Sequence, residues 1–193
     1  MTVSTPIGDQ LKRLFQPTRA FKIALREMVK ATGDHAVYAA STEILVTFLE
    51  HFACDVGDLA DYVIALEVLE ENYMPNGPPT SPLTRSYFTY FILCDLPFGP
   101  CNETMAGCFS QAIAPLAKEH KDLAKAVRVL DALRDSSMGI YQQQSVKGKT
   151  VGLKDIGQDA ATLNVQSVTG YEGAFGELWL VRLLPPVAGK QHL

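Results

Sequence analysis

The chain has 193 residues, 47% hydrophobic and 20% charged, with a formal charge of −4 and four cysteines. That length suits one large domain, or a medium domain with a small appendage, and the composition is that of a globular chain able to bury a core. The acidic balance argues against a nucleic-acid partner, because the densest basic stretch, Lys118 to Lys125, is interleaved with Glu119 and Asp122.

Thr5-Pro6 and Gln16-Pro17 read as successive helix starts with proline at the tolerated first position, the second helix running to about Thr32 and stopping at Gly33. Asp34 caps a third helix whose apolar face includes Val37, Ala40, Ile44, Phe48 and Phe52, and Asp58 caps a fourth. Residues 74–82 hold four prolines and exclude helix and central strand. Ser81-Pro82 opens a helix from Leu83 to about Cys94 with bulky side chains nearly all round, the pattern of a buried central helix. Leu96-Pro97-Phe98-Gly99-Pro100 ends it. Asn102 caps the next helix, which Pro115 should kink or break, and a last helix carries Leu123, Ala126, Val127, Leu130 and Leu133 on one face.

Near Ser136 the apolar period changes from 3.6 residues to 2. Strands are expected at about 139–146, 149–155, 161–168 and 177–184, with a tight turn at Lys147-Gly148. In the last, Trp179, Val181 and Leu183 lie on one side and Leu178, Leu180 and Leu184 on the other. A strand apolar on both sides is expected to be central and covered on both. Docking the three leucines on the helices would contribute roughly 5 kcal/mol before ordering costs. The fold class that follows is α+β: an N-terminal multi-helix bundle (1–135) with a small C-terminal antiparallel β-sheet or SH3-like barrel (136–193) packed on it.

No stretch is long and apolar enough to span a membrane. Residues 1–6 lack the charged and apolar regions of a secretory signal, so a cytoplasmic protein with free thiols is expected. Cys94, Cys101 and Cys108 recur every seven residues, but zinc sites bring ligand pairs two to four apart, and buried cysteine packs as a small hydrophobe. Cys101, just before a helix start, is the one candidate nucleophile among them. His51 and Asp55 stand four apart on one helix, and Glu67, Glu70 and Glu71 read as a solvated face. No metal and no cofactor is expected, since neither a phosphate-binding loop nor a nucleophile elbow occurs.

Two rigid loops flank the aromatic helix between Tyr73 and Glu103. Arg85, Asp95 and Glu103 near its ends could line a cleft: Asp95 and Glu103 as acid and base, Arg85 as an anion anchor, Cys101 as a nucleophile. Prolines bracing turns around a core helix explain the same residues at lower cost. The spacing of Gly77-Pro78-Pro79-Thr80-Ser81-Pro82-Leu83-Thr84 and Asp95-Leu96-Pro97-Phe98-Gly99, with the Gly176-to-Pro186 tail, resembles uncharacterised bacterial proteins that pair a helical region with a small β unit. The resemblance covers about half the chain and implies the architecture, without an activity, a cofactor or a catalytic residue. The leading functional expectation is a non-catalytic protein-interaction or assembly module, whose partner is another protein or a second copy of the chain. Strand 139–146 would offer it an edge. The alternative is an enzyme or binding protein holding a small-molecule ligand in the 73–103 cleft.

Overall fold

The computed structural model describes residues 5–16, 18–52, 57–73, 87–158, 161–166, 172–187 and 192–193. Helices α1 (Ile7–Leu14), α2 (Arg19–Lys30), α3 (Asp34–Phe52), α4 (Gly57–Tyr73), α5 (Met105–Glu119) and α6 (Ala124–Asp135) precede strands β1 (Met138–Lys147), β2 (Thr150–Asp155), β3 (Leu163–Gln166) and β4 (Leu178–Arg182). The fold is α+β, helices followed by an antiparallel sheet. No described helix is long and apolar enough to cross a membrane.

Helix ends fall where local chemistry satisfies their free amides. Thr18 caps α2 by accepting from the Phe21 amide, and Thr104 caps α5 by accepting from that of Gly107. Asn102 therefore does not cap α5; it sits two residues earlier in a left-handed turn, at φ 52°. Nor do Pro6 and Asp58 hold their expected places. Pro6 is the residue before α1, and Asp58 falls inside α4, while Pro17 lies outside the described residues. Helix α5 runs unbroken through Pro115. The Lys125 ammonium donates to the Val29 carbonyl at 3.0 Å, placing a cation at the C-terminal end of α2.

The helical core gathers Leu11, Leu25, Tyr38, Leu45, Phe48 and Phe109, with the buried face of α6 (Ala126, Val129, Leu130, Leu133) closing it. Residues 87–90 are helical and pass into a π-helical turn, Phe91–Asp95. Phe88, Leu93 and Cys94 are buried while Tyr87 and Phe91 remain over a third exposed. The described part of this helix is thus buried on one side only, unlike the all-round burial expected; Leu83 to Ser86 lie outside the described residues. The loop that follows closes on itself through paired Phe98 and Glu103 main-chain bonds. Gly99 turns it at φ +65°, and a Cβ there would meet Ile7 Cδ1 at 2.1 Å, so the loop packs against the start of α1.

The sheet order is β3-β2-β1-β4. Two expectations are corrected by it. Strand β1 is central, flanked by β2 and β4, and β4 is the outer neighbour with one covered face. Trp179 and Val181 pack with Val151, Leu153 and Val165 in a second, smaller core. Leu178 and Leu180 are 59% and 60% exposed, and of the three leucines only Leu184, at 7%, reaches the helical core. Leu178 and Leu180 lie on the face of β4 opposite Trp179 and Val181, which fill the sheet's own core, whereas Leu184 lies beyond the end of β4 at Arg182, where the chain turns onto the helical core. An extra residue, Gln144, interrupts the β1–β2 register between Gln143 and Ser145, which bends β1. The turn expected at Lys147-Gly148 forms, with Gly148 at φ +59°.

The chain end ties the two cores together. Leu184 and Leu193 exchange main-chain bonds, and His192 bonds Asn164 and Gln166 alongside β3. This links the far edge of the sheet to the continuation of β4. Tyr38 donates its hydroxyl to the Pro185 carbonyl at 2.7 Å, and the buried Asp34 accepts the Val187 amide at 3.2 Å. Asp34 thus holds the tail from the first turn of α3.

Candidate functional site

The two carboxylates expected to line a cleft, Asp95 and Glu103, each bond to a different element. Asp95, the last residue of the π-helical turn, pairs with the Arg182 guanidinium. Arg182 is 4% exposed and Asp95 27%, so the pair is largely removed from water. The other terminal guanidinium nitrogen, Nη1, donates to the Ser136 carbonyl at 2.6 Å and to its hydroxyl at 2.8 Å. Arg182 therefore fastens the last strand to both the π-helical turn and the α6–β1 junction. Glu103 accepts the amides of Ile7 and, at 3.0 Å, Gly8, satisfying two free donors at the start of α1. Cys101 is exposed at the tip of the loop. Arg85 lies outside the described residues. The loop brings Asp95, Cys101 and Glu103 within one segment, but the partners of the two carboxylates draw them to different elements.

Cys94 and Cys108 are buried. Burial pushes the Cys94 thiol up to about 12, against a smaller opposing pull from Arg182. Burial, with help from Glu103, pushes Cys108 up as well. Both are neutral thiols at physiological pH, as the reading of cysteine as a small core hydrophobe requires. Tyr62 donates to the Ile92 carbonyl, and burial raises its hydroxyl. Tyr90 is raised by burial first and Cys94 second, with Arg182 opposing. His35 is exposed, as are Glu67, Glu70 and Glu71 on the wet side of α4. Among the described residues, no group of three His, Cys, Asp or Glu side chains is placed to hold a metal ion. Asp55, the expected companion of His51, lies outside them.

What the sequence reading missed is on the outer face of the sheet. Ile140 stands opposite Leu180, and the Ile156 amide donates to the Ile140 carbonyl at 3.1 Å. Directly opposed residues of antiparallel strands point the same way. Ile156, Ile140 and Leu180 consequently form one row across three neighbouring chain segments, and they are 54%, 46% and 60% exposed. The next row is Lys154, Gln142 and Leu178. Single exposed apolar residues are ordinary, but a contiguous group is not. Beside Ile156 the surface dips into an open polar depression of about 440 Å³ lined by Gln142, Lys154, Asp155, Ile156, Gly157 and Gln158. At the other flank the Tyr87 hydroxyl donates to the Leu180 carbonyl at 3.1 Å, which caps part of the outer edge of β4. The signal was present: period-2 alternation assigns Ile140, Leu178 and Leu180 to one face once the β1–β4 register is known. The expectation that helices cover that face concealed it.

A second feature was also unforeseen. Phe15, Phe21, Phe48 and Phe52 meet mostly edge to face, with ring centroids 4.9 to 5.7 Å apart, between the α1–α2 turn and α3. They floor a cavity of about 280 Å³ that opens to the surface past Thr47 and His51. No family model, curated protein or solved structure matches this chain.

Proposed function

We propose that the protein is an interaction module whose docking surface is the outer face of the sheet, with Ile156, Ile140, Leu180 and Leu178 as its apolar centre. The observation that carries this reading is the in-register row of three large aliphatic side chains, each about half exposed or more. An apolar centre ringed by polar groups is the usual anatomy of an interface, and Gln142, Lys154 and Gln158 supply the ring here. The helical domain then serves as a rigid mount. Asp95, Ser136, Tyr38 and Asp34 hold β4 and the tail in place, so the row is presented without a large ordering cost on binding. The partner the surface fits is a protein segment with an apolar face.

The test is site-specific photo-crosslinking in the native cell, with the crosslinker at Leu178 and, as a control, at the exposed Lys118 on α5. A discrete adduct at Leu178 that is absent at Lys118, and lost when Ile140 is also changed to Ser, is expected. Equal yields at the two positions, or an adduct indifferent to Ile140→Ser, would overturn the reading.

A further inference from the structure

The aromatic cavity of the helical domain has no place in the proposed interface, which lies on the sheet. We infer that it is a binding site for a small planar aromatic molecule of one or two rings. Its volume, about 280 Å³, exceeds the roughly 150 Å³ cavity known to admit a single benzene ring and approaches the lower limit of ordinary ligand pockets.

The lining selects the class. Phe15 stands edge-on to Phe21 at 5.1 Å and 81°, and to Phe48 at 5.5 Å and 72°. Phe48 and Phe52 are nearly fully enclosed, so the partly exposed Phe21 and the rim of Phe15 are the rings an added ring would meet, in offset or T-shaped contacts that an alkyl chain cannot use. The floor is firm, because Phe48 and Phe52 are buried in the main core and Phe48 also lies 4.3 Å from Phe109. The polar lining residues, Gln16, Thr18, Thr47 and His51, are all exposed, at the mouth. His51 sits edge-on to Phe52 at 4.8 Å, and the Thr47 hydroxyl donates to the Glu43 carbonyl at 3.0 Å while its oxygen keeps accepting capacity. A ligand with an apolar ring and one hydroxyl or ring N–H would bury the ring and leave that group at Thr47 or His51.

The probes are toluene, phenol and indole, titrated into the full-length protein by calorimetry and followed by methyl NMR. Saturable binding below about 1 mM is expected for at least one of them, small ligands being limited in affinity by their atom count. Shifts should occur at the Ile44 and Ala24 methyls, which line the cavity, and not at Ile140 on the sheet. Ala24 is exposed, so Ala24→Trp fills the mouth without touching the core and should weaken binding at least tenfold with the melting temperature little changed. A variant that fails to fold is replaced by Thr47→Phe, which blocks the mouth from α3. Absence of saturable binding by all three probes overturns the inference, as does binding that survives both blocks or shifts centred on Ile140. Equal affinity for hexane would overturn the aromatic class. Loss of this site would leave the sheet interface untouched, and the reverse holds too.

Discussion

Asp95→Ala tests how the sheet is held. The substitution removes the acidic partner of a guanidinium that is 4% exposed, leaving Arg182 its bonds to Ser136 but no paired carboxylate among the described residues. Stranding one member of a buried pair typically costs about 3–5 kcal/mol. Asp95 is itself 27% exposed, so water can partly follow it into the gap, and the expected loss is nearer ~2–3 kcal/mol. Arg182→Met is expected to be milder, about 1–2 kcal/mol, because Asp95 can be hydrated while Ser136 loses its donor. The double variant should fall short of the sum by about 1–2 kcal/mol, since the second change removes a charge that the first had stranded. Urea unfolding reads all four proteins with two probes. Far-UV circular dichroism follows the helices, and the fluorescence of Trp179, the one tryptophan, follows the sheet. The two transitions should coincide in the parent and separate in Asp95→Ala, Trp179 responding at lower urea, because the link between the cores is cut. An Asp95→Ala protein within 0.5 kcal/mol of the parent (about the error of such measurements), or strictly additive single variants, would refute the reasoning.

Glu103→Ala should cost about 1–2 kcal/mol through the lost α1 cap, and amide exchange at Ile7 and Gly8 should accelerate; unchanged exchange there would show that Glu103 does not cap the helix. In the native protein a thiol reagent at pH 8 should modify Cys101 quickly and Cys94 and Cys108 only on unfolding. The Cys94 thiol titrates higher in the fold than in the open chain, so the fold prefers its protonated form. Its contribution is complete below the ordinary value of 9.0 and is lost as pH rises from there toward about 12. Urea midpoints measured up that range should fall, and Cys94→Ser, whose hydroxyl does not titrate there, should fall less steeply.

The sequence made the change of architecture at Ser136 legible, because side-chain period is a local property of each element. The α3 face was readable for the same reason: Val37, Ile44, Phe48 and Phe52 are all buried in the core. So was the hairpin at Gly148, whose positive φ glycine adopts without steric penalty. What needed the tertiary structure was anything depending on which elements become neighbours. Asp95 and Glu103 are acidic residues on a loop in sequence; only chain folding brings Arg182 to one and the α1 amides to the other. The apolar alternation of residues 177–184 identified a strand with two greasy sides but not its neighbours. Position in the sheet and distance from the helices decided that Leu184 is buried while Leu178 and Leu180 face outward. Period is set by bonds between residues a few places apart, and pairing by contacts across the whole chain. The first is written in the order of residues, and the second exists only when the chain has closed on itself.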